Sequence, residues 1–409
     1  MRCISSASCV VSLLALVGCQ LPQPKGNSSF YPIGIYGVPS TNDFAGLEQA
    51  GFNVVVGRAE RAYLDVARDA CLKVLAAPGT SAGSGFNPAK ARDIAGQFDG
   101  HPALWAWYVS DEPDLNAIPP AQVAEACRYL KVSGARKPTA LVLSRGYEAL
   151  HYAGLADITM IDRYPIPWLP LANFGQHITS TRLALGPYKP LIAVIQAFDW
   201  ATCPEMLPGE TNLRPPTYDE IRCMTYEALA HGANGLFYYA YDAGRWKIRE
   251  HPETWEALQS IVQEVSNRLP LFQAEPRWWD KNHDFGDAAH RFNAALESSI
   301  TSTLLHVARG NRLVPPGDYI LAVNNTDRDQ EYSFAVPQQV EGRAESRNWE
   351  SRKLKSPIQK LPGEAGIDFT SQGKLKLLPV LGEGRSIASE NGRLTDLFAP
   401  YAVHVYGPL

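Results

Sequence analysis

The sequence predicts an α/β protein, a (β/α)8 TIM barrel followed by a small C-terminal β-sandwich domain. From residue 30 to residue 272, short apolar runs alternate with segments whose apolar residues recur at helical spacing. Eight such units in about 240 residues match the usual size of a (β/α)8 barrel. From residue 273 to residue 409, short strands separated by turn residues replace this alternation, which is typical of a β-sandwich.

The eight predicted barrel strands are continuous apolar runs, as expected for parallel strands buried on both faces. A doubly wound open sheet is the alternative, but the glycine-rich segment 79–85 lacks the Lys-Ser or Lys-Thr of a phosphate loop. A capping box at Thr217–Glu220 predicts the start of one helix, and another is predicted to start near Pro252. The predicted strands are Ile33–Tyr36, Asn53–Val56, Leu72–Leu75, Leu104–Val109, Thr139–Leu143, Ile158–Ile161, Leu191–Ile195 and Gly235–Tyr239.

The C-terminal segment has alternating or apolar runs too short and too β-branched for helices. They are separated by turn residues such as the Asn-Asn-Thr-Asp run at 324–327. The predicted strands of this domain are Arg277–Asp280, Tyr319–Val323, Tyr332–Val336, Lys374–Val380 and Ala402–Tyr406.

The first 29 residues indicate export and a lipid anchor. A positive start is followed by the apolar run Val10–Val17, which is too short to span a bilayer stably. The run ends in Leu-Val-Gly-Cys at 16–19, which resembles the lipobox of bacterial lipoproteins. The resemblance implies a signal peptide at 1–18, lipidation of Cys19 and a tether at 19–29; Gln20, in place of an aspartate, favours the outer membrane.

Composition limits the other function classes. The chain of 409 residues has a formal net charge of −4, and so its composition does not indicate a nucleic-acid-binding protein. Its histidines show no metal-ligand spacing and it has no Gly-x-Ser-x-Gly elbow, so we expect no metal, no cofactor and no serine hydrolase chemistry. Of the cysteines, Cys203 and Cys223 flank one loop and could pair, or remain buried free thiols.

The strongest functional signal is the segment Ala103–Pro113, in which an apolar and aromatic strand ends in Asp111 and Glu112. Desolvated charge costs free energy, so stability alone does not explain two carboxylates at the tip of a buried strand. In a (β/α)8 barrel the carboxyl ends of the strands carry the catalytic groups. The alternative is a turn that merely caps the next helix.

Carboxylates and aromatic rings recur at the other strand ends, in a pattern that suits a sugar. Rings can stack on the apolar face of a pyranose, while carboxylates and amides bind its hydroxyl groups. Buried barrel aromatics are the alternative explanation. We predict a carbohydrate site whose substrate-binding residues are Tyr36, Arg58, Tyr164, Gln196, Phe198, Asp199, Trp200, Tyr239 and Tyr241.

Four segments together resemble the retaining TIM-barrel glycoside hydrolases of clan A, which include the family 42 β-galactosidases. The resemblance covers residues 30–272 well and the C-terminal segment loosely, through 398–406. It implies that Glu112 is the general acid/base, and both its apolar strand and Asp111 would raise its pKa. The segments are Trp107–Pro113, Asp162–Pro165, Ile195–Phe198 and His231–Tyr241.

Two departures leave the mechanism open. The clan usually has Asn before the acid, where this chain has Asp111, and its nucleophilic Glu is replaced by Gln196. Asp162 or Asp199 could supply the second carboxylate, and Asp111 is a further candidate. Alternatively, the Asp111–Glu112 pair resembles the adjacent Asp-Glu of substrate-assisted hexosaminidases.

A third possibility is a barrel that binds a glycan or a protein partner without catalysis. We favour a lipid-anchored glycoside hydrolase with Glu112, Asp162 and Asp111 as its catalytic residues. We also expect Glu112, Asp162 and Gln196 to face one cavity at the carboxyl end of the barrel.

Overall fold

The computed structural model describes residues 30–207, 209–276, 299–336 and 375–409. Eight parallel strands close into a barrel in chain order, so the predicted TIM barrel is confirmed. The ring closes between the first and last strands, where Gly34 pairs with Phe237. The strands are β1 (Ile33–Ile35), β2 (Val54–Gly57), β3 (Lys73–Ala76), β4 (Leu104–Asp111), β5 (Thr139–Leu143), β6 (Ile158–Asp162), β7 (Leu191–Gln196) and β8 (Gly235–Tyr239).

Helices connect successive barrel strands, and a short hairpin follows β8. Every residue of β5, β6 and β7 is buried, which explains why these strands are continuous apolar runs. The helices are α1 (Phe44–Gln49), α2 (Arg61–Asp69), α3 (Pro88–Phe98), α4 (Pro120–Val132), α5 (Ala149–Tyr152), α6 (Ala172–Leu185), α7 (Tyr218–Ala230), α8 (Pro252–Asn267) and α9 (Leu269–Phe272), and the hairpin is β9 (Asp242–Ala243) with β10 (Trp246–Lys247).

The predicted capping box starts α7. The Glu220 N–H donates to the Thr217 hydroxyl oxygen at 3.3 Å, and the Thr217 N–H donates to a Glu220 carboxylate oxygen at 2.8 Å. Glu220 is itself buried and paired with Arg214 at 2.7 Å, so the cap also compensates a desolvated charge.

A second, antiparallel sheet follows the barrel, as the predicted fold class requires. It curls on itself, because Phe334 of the edge strand contacts Tyr406 with ring centroids 5.8 Å apart, although three strands lie between them in the sheet. Its order along the sheet is β11 (Glu275–Pro276), β12 (Ile300–Val307), β13 (Gly317–Asn324), β18 (Val403–Tyr406), β15 (Lys376–Val380), β16 (Arg385–Glu390), β17 (Arg393–Phe398) and β14 (Gln330–Ala335).

Four of the five strands predicted for this domain overlap β13, β14, β15 and β18, and the fifth, Arg277–Asp280, lies outside the described residues. Strands β12, β16 and β17 were not predicted from the sequence. In β17, Leu394, Asp396 and Phe398 point inward and alternate with exposed residues. Because the inward-facing Asp396 is polar, the sequence of β17 lacks the regular alternation of apolar and polar residues that predicts a strand. The Asp396 carboxylate is paired with Arg385 at 2.7 Å.

The second sheet packs on the barrel through α7. Cys223 is fully buried there, and its thiol donates to the Asn324 carbonyl oxygen at 3.5 Å. Cys71, Cys127, Cys203 and Cys223 are all free, so the considered Cys203–Cys223 disulfide is absent. Cys223 lies instead in the contact between α7 and β13, where its thiol binds the backbone.

No helix within the described ranges is both long and apolar enough to cross a membrane. The predicted signal peptide, Cys19 and the whole of the predicted tether lie outside those ranges.

Candidate active site

Glu112 follows β4 in a backbone conformation that few non-glycine residues adopt. Its φ is +41°, in the left-handed region. The Asn116 side-chain amide donates to the carbonyl oxygens of Asp111 and Glu112 at 3.2 and 3.0 Å. The Glu112 N–H donates to the Val142 carbonyl of β5 at 3.1 Å. These bonds hold the carboxyl-bearing turn in place against its local strain.

Asp114 ties the same turn to the end of β5. Its carboxylate accepts the backbone N–H groups of Ser144, at 3.2 Å, and Arg145, at 2.7 Å. The Ser144 side chain lowers the pKa of Glu112, against the larger effect of burial. Sequence reasoning missed Asp114 and Asn116; the only available signal was that they follow Asp111–Glu112 within five residues.

Glu112 and Asp162 are brought together. Asp162 is the last residue of β6, its side chain is buried, and its carboxyl lies close enough to that of Glu112 for the charge of Glu112 to raise its pKa. The Tyr164 hydroxyl donates to Asp162 Oδ2 at 3.2 Å.

Burial and neighbouring negative charges raise the pKa of both carboxyls. Desolvation, followed by the charge of Glu112, raises the pKa of Asp162 well above its usual value. Desolvation, followed by the charges of Asp111 and Asp114, raises the pKa of Glu112. The two carboxyls therefore form an interacting pair that loses its protons at a higher pH than isolated carboxyls do.

Asp111, the exposed member of the Asp-Glu segment, is oriented by two tyrosines. The Tyr108 hydroxyl donates to Asp111 Oδ1 at 2.5 Å, and the Tyr36 hydroxyl donates to the Tyr108 oxygen at 3.4 Å. Desolvation raises the pKa of both tyrosines well above the usual value, so they remain donors. Tyr108 was not among the predicted site residues, because its place within the apolar strand suggested packing alone.

An aromatic cluster lies beside the carboxyl pair. Tyr164 stacks on Tyr239 with ring centroids 5.4 Å apart and an interplanar angle of 24°. Phe198 packs edge-on against both rings at 5.3 Å. Trp200 contacts Phe198 at 4.8 Å, and Trp168, absent from the predicted set, contacts Trp200 at 5.8 Å. Tyr239 is the last residue of β8, which places this cluster at the carboxyl end of the barrel. Burial, followed by the charges of Cys203, Asp111, Asp162 and Glu112, raises the pKa of Tyr239 to about 12.

Gln196 lies at the end of β7 but its amide is fully engaged by backbone groups. Its side chain is completely buried. Its Oε1 accepts the Ile166 N–H at 2.9 Å, while its Nε2 donates to the carbonyl oxygens of Ile166, at 2.9 Å, and Phe198, at 3.3 Å. The amide therefore joins β7 to the loop after β6, and this arrangement leaves it no free hydrogen-bonding group for a sugar.

The remaining predicted binding residues lie apart from the pair. Asp199 accepts the Ala201 N–H at 2.7 Å and so caps a short helical turn. Tyr241 is buried with its ring against Trp255 at 5.7 Å. Arg58 is exposed, 3.5 Å from Glu60, and lines a cavity of about 430 Å³ over the ends of β1, β2 and β8. Among the described residues, no cluster of three or more His, Cys, Asp or Glu side chains could hold a metal ion.

Comparisons with known proteins show the fold. No protein-family model and no curated protein matches the sequence. An α-amylase from Geobacillus thermoleovorans, solved with acarbose, superposes with a TM-score of 0.53 at 9% identity, over 92% of this chain and 97% of that one. A family 5 glycoside hydrolase from Bacteroides vulgatus superposes with a TM-score of 0.51 at 12% identity, over 92% and 88%.

A third structure, described simply as a glycoside hydrolase, gives a TM-score of 0.52 at 12% identity over 92% of both chains. The class defined by fold and site is thus a TIM barrel with a β-rich C-terminal domain and a paired carboxyl site at the carboxyl end of the barrel. Its solved structural neighbours include glycoside hydrolases.

Proposed function

We propose that this protein is a glycoside hydrolase that cleaves a glycan, with Glu112 as its general acid/base. The observation that carries the proposal is the Glu112–Asp162 carboxyl pair beside the aromatic cluster of Tyr164, Phe198 and Tyr239. The descriptions of the structural neighbours as glycoside hydrolases support the same reaction class.

Glu112 has the properties of a proton donor. It is half-buried, so a substrate can reach it, while its raised pKa keeps a proton available at a pH where an ordinary glutamate has none. Protonation of the glycosidic oxygen lets the leaving sugar depart as an alcohol. Asp162 and Asp111 are the candidate second carboxylates, and the aromatic rings are suited to stack against the sugar.

The test is release of product from glycans. Purified protein is incubated with a panel of polysaccharides and oligosaccharides, and reducing ends are measured for the wild type, Glu112→Gln and the matched surface control Glu253→Gln, which is 68% exposed. We expect hydrolysis by the wild type and the control, and a loss of roughly 10²–10⁴-fold in Glu112→Gln. Equal hydrolysis by all three proteins would contradict the role of Glu112.

The second candidate is a glycan- or partner-binding protein without catalysis. The end of β7, where clan A enzymes have a nucleophilic glutamate, carries the backbone-bound Gln196, and this favours the binding protein. This candidate would be supported if the protein bound a glycan saturably, released no sugar, and bound equally well as Glu112→Gln.

We further propose that Cys19 carries a lipid that anchors the protein in the outer membrane. The proposal rests on the lipobox-like segment 16–19 and on Gln20. Cells given radiolabelled palmitate should label the wild type but not Cys19→Ala, and the label should fractionate with outer membranes. Equal labelling of both proteins would contradict the anchor.

A further inference from the structure

A cavity on the outside of the barrel, between α1 and α8, is lined by residue types that suit a sugar. Its volume is about 520 Å³, within the range of roughly 300–1,000 Å³ that is usual for ligand pockets. We propose that this cavity is a second carbohydrate site, which holds one neutral sugar unit of a glycan without cleaving it. The proposal goes beyond the hydrolase function and does not depend on it, because binding here requires no turnover.

The cavity is separate from the carboxyl pair. Helix α1 follows β1 and helix α8 follows the hairpin after β8, and these two strands pair where the barrel closes. In the ring of eight strands this junction lies opposite the junction of β4 and β5, where the Glu112 N–H binds the Val142 carbonyl oxygen. The outer cavity is therefore not part of the cleft around Glu112.

Trp255 provides an aromatic surface for a sugar ring. It is partly exposed and lines the cavity. Phe52 stacks on its indole ring with centroids 6.3 Å apart and an interplanar angle of 9°, and Tyr241 packs edge-on against it at 5.7 Å. These contacts hold the ring in one orientation, so a pyranose meets an apolar surface that needs no further ordering on binding.

Three side-chain amides surround that ring. Gln259 lies one turn after Trp255 on the same face of α8. Asn42 and Gln49 line the cavity from the segment around α1. Within the described residues, none of these three amide groups is hydrogen-bonded to another side chain or to the backbone. Each amide offers donors and an acceptor, which matches the hydroxyl groups of a sugar because each hydroxyl both donates and accepts.

The charges that line the cavity compensate each other. Only two of its lining residues, Asp43 and Arg249, are charged, and they form an ion pair at 3.3 Å. Arg249 also lies 3.7 Å from Asp242, which lies 3.5 Å from Lys247, so two carboxylates face two cations. An ionic ligand would find no unpaired charge here, whereas an uncharged sugar needs none. The lining therefore favours a neutral sugar over an acidic or a basic ligand.

Gly46 leaves one wall of the cavity open. It lies within α1, where glycine is less favourable than alanine, and it lines the cavity. A Cβ atom at this position would meet no atom within 4 Å, so packing does not require a glycine there. A larger side chain at position 46 would extend into the cavity and occupy the space proposed for the sugar.

Gly46→Leu tests the site without disturbing the core, because leucine is a good helix former and its Cβ meets open space. Gly96→Leu is the matched control. Gly96 is an exposed glycine within α3 whose Cβ would also meet nothing within 4 Å, and it does not line the cavity. Each full-length protein also carries Glu112→Gln, so that no ligand is hydrolysed during the measurement. Isothermal titration calorimetry in detergent compares neutral oligosaccharides of glucose, xylose, mannose and N-acetylglucosamine with acidic oligogalacturonate.

We expect a neutral oligosaccharide to bind the parent and the Gly96→Leu protein equally, and the Gly46→Leu protein to lose one binding event. Gln259→Ala should weaken the same event by about 2–10-fold, as expected for a lost hydrogen bond. A Tm of Gly46→Leu at or above that of the parent would show that the loss is not unfolding. If Gly46→Leu melts lower than the parent, Gln259→Ala decides alone, because this side chain is partly exposed on α8.

The same titrations can overturn the proposal. Identical affinity and stoichiometry in the parent and in Gly46→Leu, or no binding of any neutral oligosaccharide to the parent, would contradict a sugar site in this cavity. Binding of oligogalacturonate alone would contradict the neutral sugar. None of these results bears on hydrolysis by the protein with Glu112 intact, so the hydrolase function is tested separately.

Discussion

Glu112 and Asp162 lie close enough for the charge of Glu112 to raise the pKa of Asp162, although β4 and β6 are not neighbours in the barrel. Glu112 adopts a left-handed conformation directly after β4, and its N–H donates to the Val142 carbonyl oxygen of the intervening strand β5. Asn116 and Asp114 bind that turn and the end of β5 on either side. The position of Glu112 is thus fixed by hydrogen bonds within its own turn and between that turn and the end of β5.

Asp162→Asn should stabilise the protein increasingly as pH rises. A carboxyl whose folded pKa is raised stabilises the fold below its unfolded pKa, about 3.9, and loses this contribution as pH rises through the folded pKa. An amide keeps the hydrogen bond from Tyr164 without the charge. We expect a higher Tm than wild type near neutral pH, by about 2–4 °C for each 1 kcal/mol in domains of 150–250 residues. Thermal melts from pH 4 to 9 test this, and a difference that shrinks with rising pH would contradict the pair.

Asp111→Asn should move the alkaline limb of the pH–rate profile to lower pH. Desolvation and then the charge of Asp111 raise the pKa of Glu112, so removing that charge makes the acid easier to deprotonate. The acid must be protonated to act, and activity then falls at lower pH than in wild type. The profile of kcat/KM against pH reports it; an unshifted alkaline limb would mean that Glu112 is not the titrating acid.

Gln196→Glu should not create a catalytic nucleophile. The new carboxylate would face the Ile166 and Phe198 carbonyl oxygens without a proton to donate, inside a fully buried site. We expect loss of stability by about 1–3 kcal/mol or more and no gain in turnover. Urea unfolding alongside Gln196→Ala measures it. Gained activity with unchanged stability would instead place this side chain in the substrate cleft.

Asn116→Ala should slow turnover chiefly by misplacing Glu112. Its amide donates to two carbonyl oxygens of the strained turn, and each lost hydrogen bond costs about 0.5–1.5 kcal/mol. Since Asn116 lies outside the pair, kcat should fall while the pH of the alkaline limb stays near that of wild type. Asn391→Ala, in a β-hairpin of the C-terminal domain, is a control that also removes an asparagine from a turn. Unchanged kcat in Asn116→Ala would show that the turn needs no such support.

The barrel could be predicted from sequence because its strands are buried on both faces and read as continuous apolar runs. The closeness of Glu112 and Asp162 could also be predicted, because the carboxyl ends of the strands of a (β/α)8 barrel lie together at one face of the barrel. The left-handed φ of Glu112 could not be predicted, since the sequence disfavours it locally. The engagement of Gln196 depends on where the Ile166 backbone lies, a tertiary relationship without a sequence pattern.

The C-terminal sheet also contains a strand that could not be predicted from its own sequence pattern. Strand β13 is apolar enough to be recognised, whereas β17 places Asp396 inward, where Arg385 and the Tyr406 hydroxyl compensate its charge. These partners lie on other strands, so a pattern of apolar residues along one strand cannot reveal them.

The most direct test of the central claim, that Glu112 protonates the leaving group, is the leaving-group dependence of Glu112→Gln. Turnover is measured on aryl glycosides of the cleaved sugar whose phenols span a wide range of pKa. We predict near wild-type rates for the most acidic phenols, which leave without a proton, and a loss approaching roughly 10²–10⁴-fold for the least acidic. An equal loss across the whole series would contradict the account, because Glu112 would then not be the acid.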